Sequence, residues 1–402
     1  MNEPVSLVLV GIGGMGSVYL EALLDKWESG VFRLAGAVDP EPERCPHIDK
    51  LHLLGVQIFE KLEDFYARER AQLAIISSPI QFHPLQTRLA LAHRSHVLCE
   101  KPVAATIQEA RDMLEAKKEA GKHVAIGYQW SFSSAIQRLK KDIKQGIFGR
   151  PKRLKCLYLW PRDEAYYRRN DWAGKKRDSK GRWILDSPAN NAMAHDLHNM
   201  FYILGKTGET SALPARVEAE LYRAYDIENF DTGVLRCFTE EGTEILFYVS
   251  HACEADTGPV FRYEFEAGAV EARGRNADIK ALLATGEAIN YGNPDSEPLR
   301  KMWEAMDCAK RETIPACGIE AAVSQTLCLN GAQESMPEIT NFPFSLIKRR
   351  GEPGQMSITV KGLEDVLGEC YEKNLFPSEL GVSWSKKGKV IDLTHYRNFP
   401  GG

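Results

Sequence analysis

The sequence predicts an α/β protein in two parts: a doubly wound parallel sheet over residues 1–128, then an α+β domain over residues 129–402 carrying a large, open, mostly antiparallel sheet. Three observations predict it. Short apolar, β-branched runs alternate with longer amphipathic stretches as far as residue 126. A glycine-rich turn joins the first such run to the first amphipathic stretch. Beyond about residue 150, strand-like segments follow one another directly with period-two patterning.

In the first part the strand candidates are 6–10, 33–38, 56–59, 73–77, 96–98 and 124–126. Nearly all are continuous apolar runs, so both faces of the sheet should be covered by helices. Segments 15–28, 61–70, 84–93 and 106–120 space their apolar residues by three and four and are read as those helices, with Gly121 closing the last. In the second part the strands are 153–159, 217–222, 233–238, 244–250, 261–266 and 269–272. Along 216–223, Val217, Ala219 and Leu221 alternate with Arg216, Glu218 and Glu220, which sets one face on a core and leaves the other wet or against a second subunit. Helical patterning returns at 297–311, 319–333 and 362–373, and the aperiodic tail 377–402 is expected to wrap the surface.

Composition narrows the function classes. A chain of 402 residues suits two or three domains and needs no disulfide or metal staple. Lys plus Arg number 51 against 55 Asp plus Glu, a net charge of −4, so no global positive field gathers nucleic acid or anionic lipid. No apolar run of about 18 residues is available to cross a bilayer. The run Val5–Val10 lacks a preceding basic stretch and enters a glycine turn, unlike a signal peptide. Nine cysteines without a C-x-x-C spacing read as small core hydrophobes in a reducing compartment, so a cytoplasmic protein without a metal site is expected.

Gly11-Ile12-Gly13-Gly14-Met15-Gly16 lies between the first strand and the first helix, where a Rossmann-type dinucleotide site places its phosphate loop. Gly11 permits the tight turn, Gly13 lets the backbone approach the pyrophosphate, and Gly16 lets helix and strand pack closely. The helix amino terminus, from Gly14 and Met15, presents N–H groups to the phosphates. Asp39 ends the second strand and should accept from the ribose hydroxyls; with Glu41 and Glu43 it would repel a 2′-phosphate, which favours NAD over NADP. Ser77, Ser78 and Pro79 leave the fourth strand at the same carboxyl edge. His83, Glu100, Lys101 and Gln129 complete the expected cofactor contacts.

Glu100-Lys101-Pro102 follows the fifth strand, and a lysine there could donate to a substrate hydroxyl and favour the alkoxide that hydride loss requires. In the second part His195 and His198 lie three apart on an expected helix, with Asn191 four before His195 on the same face. Trp130, Trp160, Trp172 and Trp183 fall close together with Tyr128, Tyr158, Tyr166 and Tyr167, flat rings suited to sugar or cyclitol faces. Interleaved Arg162, Arg169 and Asn170 suit vicinal hydroxyls or a carboxylate. The expected substrate contacts are Lys101, Tyr128, Trp130, Arg162, Tyr167, Arg169, Asn170, Trp172, Asn191, His195 and His198.

The glycine turn, Asp39, Glu100-Lys101-Pro102, Gly127-Tyr128-Gln129-Trp130 and Gly146-Ile147-Phe148-Gly149, followed by an antiparallel domain, resemble the glucose–fructose oxidoreductase, inositol dehydrogenase and rhizopine-catabolism family, Gfo/Idh/MocA, over nearly the whole chain. The resemblance implies that Lys101 and a histidine at the start of a helix in the second domain attend the substrate carbon. His198 is the motif position and serves as base, which leaves Ala194 in the family's aspartate position, so that Asp196 replaces the acid in role or the histidine works beside His195. The resemblance implies an NAD-dependent dehydrogenase acting on a secondary hydroxyl of a sugar, sugar acid or cyclitol, assembled as a homodimer or homotetramer through the second domain's sheet. Two alternatives stand beside it: a redox-neutral enzyme that retains NAD and cleaves glycosides by transient oxidation and elimination, and a non-catalytic NAD or sugar sensor, which Lys101 and His198 argue against.

Overall fold

A computed structural model describes residues 3–401, and the chain divides into two compact units. The first comprises 1–104, 108–132 and 297–322, and the second comprises 105–107, 133–296 and 323–402. Segment 297–322, which sequence patterning assigns to the second domain, thus returns to the first unit.

The first unit is built on six strands, β1 (Val5–Val10), β2 (Phe32–Val38), β3 (Ile58–Phe59), β4 (Leu73–Ile76), β5 (His96–Cys99) and β6 (Val124–Ile126). They lie in the order β3-β2-β1-β4-β5-β6, all parallel. Helices α1 (Met15–Asp25), α2 (Ile48–Leu53), α3 (Leu62–Arg68), α4 (His83–Ala92) and α5 (Ile107–Ala120) connect them. Every residue of β4, β5 and β6 is buried, as continuous apolar strands between two helical layers must be. Strand order reverses between β1 and β4, and the crevice at their carboxyl ends is where such sheets bind ligands.

The second unit adds α6 (Ser134–Lys144), α7 (Glu164–Arg168) and α8 (Ala194–Tyr202) to a large sheet of β7 (Pro151–Leu159), β8 (Pro214–Arg223), β9 (Thr232–Thr239), β10 (Glu244–Ser250), β11 (Thr257–Phe265), β12 (Gly268–Arg273), β13 (Ile279–Leu283), β14 (Ala288–Gly292) and β15 (Thr340–Asn341). Its order is β14-β13-β12-β11-β7-β10-β9-β8-β15, antiparallel except where β7 meets β10 and β8 meets β15. A separate hairpin pairs β16 (Ile347–Arg350) with β17 (Ser357–Val360). α9 (Arg300–Arg311) packs on β1, β4 and β5, and α10 (Ile319–Ser335) and α11 (Leu363–Lys373) complete the helices.

One face of β8 departs from expectation. Val217, Ala219 and Leu221 are buried as predicted, but Glu218 and Glu220 are buried too. The tail covers them. Ser378 donates its hydroxyl and its N–H to Glu220, Trp384 packs edge-on against Tyr222, and β18 (Ile391–Asp392) pairs with β8. That strand face is therefore neither wet nor free for a second subunit. All nine cysteines are buried and unbridged, and no helix among the described residues is long and apolar enough to cross a membrane.

Candidate functional site

The glycine turn is shaped by what a side chain would meet. Gly11 has φ +79°, and a Cβ there would stand 3.0 Å from the Ser77 carbonyl group, while one at Gly16 would stand 1.8 Å from the Gly11 carbonyl oxygen. At Gly13 and Gly14 a Cβ would meet nothing within 4 Å, so the open side of the turn faces away from the sheet. The Ser77 hydroxyl donates to the Gly11 carbonyl (2.7 Å) and fastens β4 to the turn at the point of strand reversal. α1 starts beyond Gly14 without a side-chain cap, and its Gly16 and Ser17 N–H groups donate to the Gly13 (2.8 Å) and Gly14 (3.2 Å) carbonyls of the turn. Asp39 accepts from the N–H groups of Ile12 and Glu41, both at 2.9 Å, which fixes its carboxylate beside the turn. An open glycine cradle, an uncapped helix and an oriented acid together fit the pyrophosphate and ribose of a dinucleotide.

At the end of β5 the structure corrects one expectation and adds two residues. Glu100 does not face a cofactor: it is buried, and its carboxylate accepts from the Tyr19 hydroxyl, the Lys301 ammonium and the Lys101 N–H (3.2 Å). Lys301, 1% exposed, also donates to the Gly127 carbonyl (3.1 Å). Burial pushes the Glu100 carboxyl upward, but the Lys301 charge and the hydrogen bonds from Lys301 and Tyr19 outweigh it and hold the group below its ordinary value. A Cβ on Gly127 would stand 2.7 Å from Glu100 Oε1, so this glycine makes room for the carboxylate. Glu100 is thus a buried, neutralised anchor, and Lys101, half-buried beside it, is the next residue at the carboxyl edge.

His83 is likewise diverted from a cofactor role. It is buried, with Nδ1 against the Pro102 carbonyl (2.8 Å) and Nε2 against the Ser78 carbonyl (2.9 Å), so both ring nitrogens tie the turns after β4 and β5 together. Tyr128 and Trp130 are buried, 0% and 6% exposed. Gln129 between them is half-buried, and Pro79 leads from Ser78 into the turn before α4.

In the second unit α8 begins at Ala194, which puts His195 in its first turn, half-exposed. Four residues earlier Asn191 donates its amide to Asp186 (2.9 Å). His198 is 1% exposed and stacked on Tyr202 (5.6 Å between centroids); burial, then the Lys140 charge, pushes its pKa well below the ordinary value. Asp196 is buried on the side of Cys156 and Tyr158 of β7, and burial together with Asp295 pushes its carboxyl up to about 8. It is a neutral acid toward the sheet, not a substitute on the histidine face. Asn170 caps the N–H groups of Trp172 (3.1 Å) and Ala173 (2.8 Å), and Tyr167 shares a hydrogen bond with His251 Nδ1 (2.9 Å). Arg162, Arg169 and Trp172 cluster around the Tyr166 ring.

Residues 5–128 match the model of an oxidoreductase family with an NAD-binding Rossmann fold, Gfo/Idh/MocA. Inositol 2-dehydrogenase of Rubrobacter xylanophilus is 28% identical over 151 residues, 37% of this chain and 42% of that protein. The rhizopine catabolism protein MocA of Rhizobium meliloti is 29% identical over 161 residues, 40% of this chain and 47% of its own. The chain therefore spans less than half the length of these curated relatives. Among solved structures, the WlbA dehydrogenase of Bordetella pertussis, in complex with NADH and UDP-GlcNAcA, superposes with TM-score 0.68 at 22% identity, covering 83% of this chain and 97% of that one, a likeness of fold.

Sequence reading missed Lys301 and Tyr19. A signal existed for Lys301. It shares the apolar stripe of its helix with Met302, Ala305 and Cys308, all buried, and a lysine on such a stripe requires a buried anion. Tyr19 gave none, because a tyrosine on the inner face of a helix looks like ordinary core.

Proposed function

We propose that this chain is an NAD-dependent dehydrogenase that oxidises a secondary hydroxyl of a sugar, sugar acid or cyclitol. The observation that carries the reading is the gathering of the glycine cradle, Asp39 and Lys101 at the carboxyl edge of one parallel sheet, around its point of strand reversal. When bound, NAD⁺ supplies the two-electron acceptor for the hydride of a carbinol carbon. Lys101 donates a hydrogen bond to the hydroxyl oxygen and stabilises the charge that develops there. The Glu100 carboxylate beside it is neutralised by Lys301.

His195 is the residue we assign to the hydroxyl proton. It lies in the first turn of α8 and is half-exposed, whereas His198, the position the family resemblance points to, is buried and stacked on Tyr202. With His195 in that role the acid position four residues before it is Asn191, held by Asp186. The alcohol loses a hydride and a proton and becomes a ketone. Incubating the chain with NAD⁺ and a panel of sugars, uronates and inositols, and following NADH absorbance, tests the proposal. NADH formation that disappears in Lys101→Met supports it, and NADH formation undiminished in that variant contradicts it.

A further inference from the structure

The second unit contains a cationic cluster that no ion pair explains. Trp160 and Arg162 follow β7, Tyr166 and Tyr167 belong to α7, and Arg169 and Trp172 lie just beyond it. The Arg162 guanidinium carbon is 3.7 Å from the Trp160 ring centre and 4.7 Å from that of Tyr166. The Arg169 guanidinium carbon is 3.7 Å from the Tyr166 centre and 5.1 Å from that of Trp172. One tyrosine ring thus carries two guanidinium groups, a concentration of positive charge that repels itself.

Among the described residues, no carboxylate forms an ion pair with either arginine, although Arg168, Arg182 and Arg275 nearby are paired with Glu164, Asp178 and Asp256. Asp186, Asp231 and Asp163 are engaged elsewhere. Asp186 accepts from the Gly174 N–H (2.6 Å) and the Asn191 amide, Asp231 from the N–H groups of Ala224 (2.7 Å) and Tyr225 (2.8 Å), and Asp163 from the Tyr166 N–H (2.9 Å). Two buried nitrogens in the cluster, Arg162 Nε and His251 Nε2, have no hydrogen-bond partner among the described residues. His251 is 1% exposed, packs edge-on against Tyr166 (5.2 Å) and adds no positive charge of its own, since burial and the two arginines hold it neutral.

We infer that Arg162, Arg169 and His251 form an anion subsite, and that the substrate is a sugar or cyclitol carrying a carboxylate or a phosphate ester. Fork-shaped donors stacked on flat rings match the oxygens of such a group, and the rings beside them suit the face of a sugar. The substrate half of the inference rests on the proposed dehydrogenase reading, but the anion subsite stands on the cluster alone.

The test titrates the full chain, saturated with NAD⁺, with D-glucuronate, D-glucose 6-phosphate and D-glucose, reading tryptophan emission and heat. At least one charged sugar should bind ~10- to 100-fold more tightly than glucose, as charge-assisted hydrogen bonds provide, and the tighter of the two identifies the anion. That margin should vanish in Arg162→Gln/Arg169→Gln and shrink in Arg169→Gln alone, an exposed position whose replacement leaves the fold intact, while affinity for glucose stays put. Equal binding of all three sugars, or an unchanged margin in the variants, overturns the anion subsite. Absence of NADH formation with every sugar would overturn the dehydrogenase reading without touching the binding result.

Discussion

Replacing Lys301 by Met removes a cation paired with the Glu100 carboxylate and leaves that charge buried in the first unit. Breaking a buried pair from one side costs about 3–5 kcal/mol. Two donors remain to Glu100, the Tyr19 hydroxyl and the Lys101 N–H, so the lower end, about 3 kcal/mol, is the expected loss. The sign of the pH dependence follows from the direction of the shift. In the parent, Glu100 is held below its ordinary pKa, so its contribution is present at neutral pH and is lost as pH falls through the folded-state value. In Lys301→Met, burial is opposed only by the Tyr19 hydrogen bond and the Lys101 charge, so the Glu100 pKa rises relative to the parent and the variant's deficit shrinks as pH falls. Urea unfolding of parent and variant at pH 8 and pH 5 should therefore show a gap that narrows toward acid. Lys301→Met/Glu100→Gln, which removes both charges, should regain most of the loss at pH 8. A gap that is absent, independent of pH or unrelieved in the double variant would refute the reasoning.

Three further outcomes are expected. Gly13→Ala should fold with an unchanged melting temperature yet bind NAD⁺ about tenfold or more weakly, whereas Gly16→Ala should lose folding or binding outright, because only the second Cβ meets backbone, at 1.8 Å; calorimetry and thermal melts distinguish the two. His195→Ala should lower kcat ~10²- to 10⁴-fold, whereas His198→Ala should lower stability by ~0.5–3 kcal/mol and spare turnover per folded molecule, and the reverse pattern would return the base to His198. Asp196, raised to about 8, contributes a penalty that is absent in acid and grows as pH rises from the unfolded-state value, about 3.9, through about 8. Asp196→Asn should flatten that slope in urea unfolding between pH 5 and 8.5, and an unaltered slope would mean that the carboxyl is already ionised.

The glycine turn and Asp39 were legible because their chemistry is local: φ, close backbone approach and an acid at a strand end are written into consecutive residues. The parallel sheet was legible for a similar reason, since strands covered on both faces must be apolar throughout. Less legible were Glu100, His83, Tyr128 and Trp130. A residue just past a strand end can turn toward the ligand edge or back into the core, and the choice depends on distant partners such as Lys301, which no spacing near residue 100 reveals. The outward face of β8 was misread for a related reason. Its alternation predicts one open face, but Ser378 and Trp384, more than 150 positions away, close over Glu220 and Tyr222. The start of α8 was also hidden, so that sequence reading took His198 for the base, whereas the helix holds His195 in its first turn and buries His198.

Titration calorimetry of the full chain with NAD⁺ and NADP⁺ tests the central claim most directly, because every role assigned to Lys101 and His195 requires the cradle to hold its dinucleotide. Saturable NAD⁺ binding, with NADP⁺ at least about tenfold weaker because Asp39 faces the extra phosphate, is the predicted result. Heat from neither coenzyme, or tighter binding of NADP⁺, would contradict it.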